Sequence, residues 1–310
     1  MRTTTVIRGE EWIASLPIHI ELFETLGWKA PNYAHLPVIC KLDEEGHKRK
    51  LSKRLDSEAA VSYFIEDGYL PKALIMYLMT IANSNFEEWI LNNKFENMDD
   101  FKLTFEKISS EGALFDMGKV NFFSRELLAK FNKDEITALA KEYAEKYNPK
   151  LLDLINENVD YFKAILNIER EKENPRKDYE KFGNLADAIE FFYHDTYMAK
   201  IGERCPFNEK FSADDLKLVL SNMKEKLSLD QDEQSWFANM KEIAVSLGFA
   251  ANNKEYKAAP ETFKGTVGDV AEILRITLTG RKNTPNLYYV MKVLGKQEVD
   301  FRIDYIVASL

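Results

Sequence analysis

The sequence places two lysines, Lys50 and Lys53, in a short basic segment that reads K-L-S-K-R. Lysines separated by two residues on one loop can both reach a triphosphate. There they can neutralise the charge that builds on a leaving pyrophosphate when an α-phosphate is attacked. Five of the seven residues from Lys48 to Arg54 are basic, although the 310-residue chain carries a net charge of −9. A solvated basic turn is the alternative interpretation of the same residues.

Several other signatures of chemistry are absent from the sequence. It contains no G-x-x-x-x-G-K-S/T phosphate loop, no G-x-G-x-x-G turn and no nucleophile elbow. The four histidines form no H-E-x-x-H pair, and Cys40 and Cys205 form no C-x-x-C pair. We therefore expect reduced thiols and no zinc or other metal site. The net negative charge excludes a protein coated in positive charge for indiscriminate nucleic-acid binding, but it leaves room for a local basic groove.

The elements that must position the basic segment read as a strand, a helix and a second strand. A β-branched run over residues 4–7 ends at Gly9, apolar residues at helical spacing cover residues 13–26, and a second apolar run covers residues 35–40. This strand–helix–strand segment has the length of one crossover unit. A single unit of this kind leaves the faces of a parallel sheet uncovered. We therefore expect the chain to begin inside an α/β domain.

From Ser57 onward the pattern is helical. Four helix starts carry a capping residue with an acidic residue three positions later, and the capping residues are Asn132, Asn184, Ser212 and Thr266. The charged segment 170–181, which contains Pro175, predicts a long surface loop. The fold class is therefore mainly α, with an α/β piece at the amino end. The apolar stretch 73–82 is shorter than the roughly 20 residues of a membrane span, so we expect no membrane partner and a cytoplasmic location.

A family resemblance appears when the basic segment is read with its flanking sequence. VIRGEEW at residues 6–12, the helix after it, AHLPVI at 34–39 and KLSKR together resemble the carboxyl half of the catalytic domain of class I glutamyl-tRNA synthetases. The similarity continues in the same order through EDGYLPKAL at 66–74, FDMGKV at 115–120, LRITLTGR at 274–281 and TPNL at 284–287. It implies a residual α/β, Rossmann-type catalytic piece at 1–55, a stem-contact domain at 56–130 and a helical anticodon-binding region at 131–310.

The resemblance assigns roles to the basic segment. KLSKR matches the family's second ATP signature, so Lys50 and Lys53 are expected to contact phosphates during catalysis and Ser52 to shape the ATP-binding loop. The reaction implied is the ATP-dependent attachment of glutamate to its tRNA through glutamyl-adenylate, with ATP and Mg²⁺ as substrates. The partners implied are glutamate and tRNA, and the chain is expected to be a monomer.

Three residues near the amino end also match family positions. Arg8 matches the arginine that holds the glutamate substrate, and Glu10 and Trp12 match positions that line the ATP site. A guanidinium offers a planar fork of donors to a carboxylate, which suits that assignment of Arg8. The alternatives are an ordinary ion pair of Arg8 with Glu10 or Glu11 and simple packing of Trp12 at the first turn of a helix.

Four residues near the carboxyl end match family positions around the anticodon: Arg275, Thr284, Pro285 and Leu287. An arginine can stack on or hydrogen-bond an unpaired base, and small apolar surfaces can sandwich one. The alternative for Arg275 is an interaction with the dipole of its own helix, and Leu287 is expected to be partly a core residue.

The sequence also departs from the family. No H-I-G-H-type first ATP signature occurs in the chain, and Thr5 stands where the family usually carries histidine. We therefore expect a carboxyl-terminal fragment that is inactive by itself. One alternative function is a tRNA- or anticodon-binding module without chemistry, and another is a helical scaffold with no RNA partner.

Overall fold

A computed structural model describes residues 2–108 and 112–310 of the chain. The chain folds as two compact units, which divide between Leu127 and Leu128. We describe them separately as the first unit and the second unit. The finer three-domain division stays a prediction.

The first unit begins with the expected strand, helix and strand. β1 (Thr5–Gly9) pairs in parallel with β2 (Asn32–Leu36), and Arg8 lies opposite His35 in the register. A 3-10 turn over Glu10–Ser15 leads into helix α1 (Leu16–Thr25), which connects the two strands. The second strand ends at Leu36 instead of Cys40, because Pro37 has no N–H group to extend the ladder.

A hairpin follows that the sequence analysis did not predict. β3 (Cys40–Leu42) pairs antiparallel with β4 (Lys48–Lys50), so that Cys40 lies opposite Lys50. The turn between them is closed by Asp43, whose carboxylate accepts hydrogen bonds from the backbone N–H groups of Glu45 and His47. The hairpin therefore delivers the start of the basic segment directly from the end of a strand.

The remainder of the first unit supplies its core. Its helices are α2 (Val61–Glu66), α3 (Pro71–Ala82), α4 (Asn85–Asn92) and α5 (Met117–Leu128). Met76, Phe86 and Ile90 are fully buried there. Within residues 2–55, in contrast, Cys40 is the one apolar residue that is buried. The hydrophobic core of this unit is therefore built by residues 64–127, and the strands lie outside it.

The second unit is helical. Its longer helices are α6 (Lys133–Tyr147), α7 (Pro149–Glu157), α8 (Val159–Leu166), α11 (Ala213–Lys226), α12 (Glu233–Ser246), α14 (Val267–Thr279) and α15 (Leu287–Ser309). The shorter ones are α9 (Leu185–Ile189), α10 (His194–Ala199) and α13 (Asn253–Ala258). The predicted fold class, mainly α with a small α/β piece, is confirmed.

Helix ends in the second unit follow the predicted capping chemistry at three of four positions. Asn132, Ser212 and Thr266 each form a reciprocal capping box with the acidic residue three positions later. The prediction for Asn184 is wrong, because a 3-10 turn precedes the helix there and the Asn184 amide donates to the Glu180 carboxylate.

Two glycines with positive φ shape the end of the second unit. Gly280 (φ 72°) ends α14 in the left-handed conformation, and Gly295 (φ 77°) interrupts α15 with a kink. The charged segment 170–181 is a loop as predicted, but Arg170 anchors it by donating to the carbonyl oxygens of Leu128, Phe131 and Leu166. No helix in the described ranges is both long and apolar enough to cross a membrane.

Candidate functional site

The basic segment lines an open cleft of about 990 Å³ in the first unit. We call it the lysine cleft. Arg8 reaches it from β1, residues 36–39 line it after β2, and Lys50, Ser52 and Lys53 line it after β4. Strand ends and the turn after a hairpin thus bring together four of the residues that the sequence analysis assigned to substrate binding.

The loop that carries Ser52 is held by the carboxylate of Asp56. Asp56 accepts two hydrogen bonds from the Arg49 guanidinium, at 2.7 and 2.8 Å, and one from the Ser52 backbone N–H at 2.9 Å. The Lys41 ammonium lies 3.5 Å away. Hydrogen bonds from Arg49 and the Ser52 backbone hold the pKa of this carboxyl well below its usual range. Asp56 therefore fixes the loop geometry.

The two lysines of the segment have different surroundings. The Lys50 ammonium donates to the Glu11 carboxylate at 2.9 Å, and both side chains are exposed. This hydrogen bond lowers the pKa of Glu11. The exposed Lys53 ammonium has no hydrogen-bond or ion-pair partner among the described residues. Lys53 is thus free to meet an anion, whereas Lys50 must exchange Glu11 for one.

The Arg8 side chain is positioned by aromatic rings. Its guanidinium lies 5.8 Å from the Trp12 ring centroid and 5.3 Å from that of Tyr33. Its Nε donates to His35 at 3.0 Å. The alternative ion pair with Glu10 or Glu11 is not formed, because Glu10 faces the Val38 backbone N–H and Glu11 pairs with Lys50.

Glu10 and Trp12 do not line the lysine cleft among the residues described. Trp12 is 52% exposed, so its ring is available on the surface instead of packed in a core. The Trp12 ring contacts the Arg8 guanidinium, and the Trp12 carbonyl oxygen accepts hydrogen bonds from Arg8 and from the Ser15 hydroxyl. The structure therefore gathers Arg8, Lys50, Ser52 and Lys53 and leaves Glu10 and Trp12 at the periphery.

A second candidate site lies between α12 and α14 in the second unit. It is a pocket of about 350 Å³, which we call the Arg275 pocket, lined by Arg275, Thr284 and Leu287 together with Trp236 and Phe237. Leu287 is 3% exposed and belongs to the core, as expected. Phe237 is 52% exposed at the rim. The pocket thus combines a guanidinium with flat aromatic surface.

The Arg275 guanidinium has a buried donor that is not satisfied by the described residues. Its Nε is buried, and no group in the described part of the chain accepts a hydrogen bond from it. Partial burial and the neighbouring positive charge of Arg176 lower the pKa of Arg275. A partly buried cation without a partner is destabilising by itself and favours a ligand that supplies an acceptor.

Pro285 lies in an adjacent cavity of about 260 Å³, the Pro285 cavity. Thr284 and Arg176 line both cavities, so the two are contiguous. The Thr284 hydroxyl donates to the Pro285 carbonyl oxygen at 2.9 Å, which keeps the turn before α15 closed. All four residues predicted near the anticodon therefore lie on one connected surface.

Two residues important to these sites were missed by the sequence analysis. Asp56 had a signal, since an acidic residue directly after a basic run can neutralise it. Arg176 lay within the charged segment 170–181, where the sequence offers nothing to distinguish it from its charged neighbours. In the ranges described, no group of three or more His, Cys, Asp or Glu side chains is arranged to hold a metal ion.

Comparison with known proteins matches each of the two sites to a described family. Residues 1–121 match the family "tRNA synthetases class I (E and Q), catalytic domain", and residues 158–307 match the family "Anticodon binding domain". The lysine cleft falls in the first match, and the Arg275 pocket falls in the second.

Relatives of similar sequence are named as glutamate–tRNA ligases. One from Clostridium perfringens (strain 13 / Type A) is 40% identical over 303 residues, which are 98% of this chain and 55% of that protein. Another, from Clostridium beijerinckii (strain ATCC 51743 / NCIMB 8052), is 39% identical over 305 residues and is covered to the same extent. The chain thus spans slightly more than half the length of these relatives.

Solved structures share the fold. A glutamate-tRNA synthetase from Elizabethkingia anophelis has a TM-score of 0.66 at 22% identity, and the match covers 98% of this chain and 57% of that chain. A glutamate tRNA ligase from Elizabethkingia meningosepticum CCUG26117, solved in complex with its amino acid, has a TM-score of 0.65 at 23% identity. At this identity the likeness concerns the fold alone.

Proposed function

Because the chain belongs to the class I tRNA synthetases of the glutamate and glutamine (E and Q) type, we propose that it carries part of the active site and the anticodon-binding region of a glutamate–tRNA ligase. The observation that carries this proposal is the meeting of Arg8, Lys50, Ser52 and Lys53 on one cleft. Arg8 lies about forty residues before the segment that carries the other three, and the fold brings it to the same surface.

In the proposed reaction, a carboxylate oxygen of glutamate attacks the α-phosphorus of ATP. The bond from the α-phosphorus to the bridging oxygen breaks, and pyrophosphate leaves with its electron pair. Lys53 and Lys50 stabilise the charge on the leaving group, and Mg²⁺ enters with ATP as part of the substrate. A hydroxyl of the terminal ribose of tRNA then attacks the activated carbonyl, and AMP leaves. This chain's contribution is positioning and charge stabilisation.

Arg8 is proposed to bind a carboxylate of the glutamate substrate. The aromatic rings of Trp12 and Tyr33 hold its guanidinium, which lowers the freedom that it must lose on binding. Glu10 and Trp12 are proposed to contact ATP from the edge of the site, outside the lysine cleft. Lys50 exchanges Glu11 for a phosphate oxygen when the triphosphate arrives.

The Arg275 pocket is proposed to bind an anticodon base. The Arg275 Nε, unpartnered among the described residues, supplies a donor, and the exposed Phe237 ring at the rim supplies a surface for stacking. Thr284 and Pro285 present the turn beside it, and Leu287 forms the floor. The proposed partners are therefore glutamate and tRNA, and we propose a monomer that acts in the cytoplasm.

A second candidate function is a tRNA-binding module without chemistry. It is favoured by the absence of an H-I-G-H-type motif from the sequence and by the pairing of Lys50 with Glu11. Glutamate-dependent exchange between pyrophosphate and ATP tests whether this chain has chemistry of its own, because the exchange requires a complete adenylation site. We expect this chain alone to give no exchange above background.

Filter binding with glutamate tRNA tests the tRNA binding that both candidate functions require. Specific binding without exchange supports the carboxyl-terminal part of a ligase and shows that this chain lacks chemistry of its own. Exchange at the rate of the Clostridium perfringens relative would contradict the expected inactivity. A failure to bind tRNA would contradict both candidates and leave a helical scaffold.

A further inference from the structure

A third cavity, of about 270 Å³, continues the series formed by the Arg275 pocket and the Pro285 cavity. We call it the Arg204 cavity. Three basic residues line it: Lys200, Arg204 and Arg281. Arg281, which follows the end of α14, also lines the Pro285 cavity. Phe191 is a second residue that the two cavities share. The three cavities therefore follow one another along the surface of the second unit.

The carboxylate in this cavity is compensated more than once. Glu190 is 4% exposed, and it accepts hydrogen bonds at 2.7 Å from both Lys150 and Lys200. Arg281 lies 3.3 Å from the same carboxylate. Burial of Glu190 opposes its ionisation, but the hydrogen bonds from Lys150 and Lys200 outweigh this and lower its pKa. Three cations thus surround one buried anion. Lys150 also pairs with the exposed Asp187 carboxylate at 2.8 Å, so one positive charge remains in surplus.

Arg204 adds a cation that the described residues do not neutralise. Its guanidinium lies 5.4 Å from the Phe207 ring centroid, and its Nε is buried without a hydrogen-bond partner in the ranges that the structure covers. The remaining carboxylate of the lining, on Glu203, is exposed to solvent. An uncharged base would provide an acceptor but would leave the surplus charge in place. A phosphate provides both an acceptor and a negative charge.

We infer that the Arg204 cavity binds a backbone phosphate of the RNA strand next to the anticodon. The inference rests on the proposed function, because the neighbouring Arg275 pocket sets where the strand runs. In this arrangement Arg275 contacts a base, whereas Arg204 and Lys200 contact the phosphodiester of a flanking nucleotide. The first contact contributes to sequence preference, and the second contributes affinity without sequence preference.

Fluorescence anisotropy with the full chain and a labelled anticodon stem-loop of glutamate tRNA tests this inference. We expect Arg204→Ala to weaken binding about tenfold, the effect of removing one charge-assisted hydrogen bond. The slope of log affinity against log salt should become shallower by about 0.7 for each phosphate that the variant no longer neutralises. The same weakening is expected with a changed anticodon base, because a phosphate carries no base information. Lys146→Ala is the control, since it removes one positive charge on α6 outside the three cavities.

Single methylphosphonate substitutions in the stem-loop identify the phosphate. One substitution beside the anticodon should weaken binding to the unaltered chain and have no further effect on Arg204→Ala. Unchanged affinity of Arg204→Ala, or additive losses at every phosphate, would overturn the inference. So would competition by inorganic phosphate at constant ionic strength without any methylphosphonate effect, since that result indicates a site for a free anion.

Two controls separate this inference from other failures. If circular dichroism shows that Arg204→Ala is misfolded, Arg204→Lys replaces it. This variant keeps the positive charge but not the guanidinium, so it should keep part of the affinity for the stem-loop. If the unaltered chain does not bind the stem-loop, the proposed function fails. If it binds, and Arg275→Ala weakens binding while Arg204→Ala does not, only the inference about the Arg204 cavity fails.

Discussion

The lysine cleft and the Arg275 pocket hold their positively charged side chains in opposite ways. In the cleft, Lys50 and Glu11 are both exposed and neutralise each other at the surface. In the pocket, Arg275 is partly buried between helices, and its Nε has no partner among the described residues. In the cleft, Lys50 therefore has to leave Glu11 before both lysines can bind an anion. The pocket holds its cation in place before any ligand arrives.

The packing beneath the two sites explains this difference. α14, which carries Arg275, has eight buried residues among its thirteen. Within residues 2–55, Cys40 is the one apolar residue that is buried, and large apolar side chains such as Ile18 and Trp28 are more than half exposed. A site on a dense core has a fixed geometry, whereas a two-stranded parallel sheet without covering layers gives its site little support.

The largest effect is expected from Arg302, which supports the second unit from within. Arg302 is fully buried, donates to the carbonyl oxygens of Phe191 and Leu278, and pairs with Glu298. Arg302→Ala leaves these acceptors unpaired, so we expect a loss of about 3–5 kcal/mol in the free energy of unfolding. Urea denaturation measures it. A loss below about 1 kcal/mol, the size for an exposed pair, would remove the contrast between the two regions.

Arg275→Ala is expected to act on RNA binding and not on folding. Removal of one good base contact should weaken tRNA binding by about 1–3 kcal/mol and reduce the preference for the cognate anticodon. The melting temperature should stay the same or rise, because the variant removes a partly buried cation that the described residues leave unpaired. A lower melting temperature with unchanged tRNA affinity would show that Arg275 is structural.

The sequence predicts local features well where a few neighbouring residues decide them. The side chains of Asn132, Ser212 and Thr266 cap helices as expected, because a cap depends on three or four neighbouring residues. The predicted cap at Asn184 does not form because a 3-10 turn occupies its position, and no local sequence pattern predicts that turn. The hairpin of β3 and β4 was missed because each strand has only three residues.

The same distinction between local and distant interactions applies to the site residues. Lys50, Ser52 and Lys53 lie within one short segment, so the sequence identifies them together. The part played by Arg176 depends on how a loop of the second unit folds against the Arg275 pocket, and the contact is distant in sequence. The peripheral positions of Glu10 and Trp12 likewise follow from the course of the 3-10 turn after β1 and not from their spacing.

The pairing of Asp56 predicts a pH dependence of the loop that carries Ser52. The folded pKa of Asp56 is depressed, so its contribution to stability is complete above the unfolded pKa of about 3.9. That contribution is lost progressively as the pH falls below this value toward the folded pKa. We expect amide hydrogen exchange of residues 50–56 to accelerate between about pH 4 and pH 2, relative to the intrinsic exchange rates. Asp56→Asn should show fast exchange at neutral pH already, and equal protection in both proteins would contradict the role given to Asp56.

The smallest effect is expected from Lys50→Ala, which removes the exposed ion pair of the lysine cleft. An exposed ion pair contributes little to stability because water and salt screen both charges. We therefore expect an unchanged melting temperature and nearly unchanged tRNA binding by this chain, since Lys50 faces the proposed ATP site. Glu11→Gln is the matched variant, which frees the Lys50 ammonium without removing it. A clear loss of tRNA affinity in Lys50→Ala, with none in Glu11→Gln, would show that the lysine cleft contacts RNA directly, and the division of roles between the two sites would then be wrong.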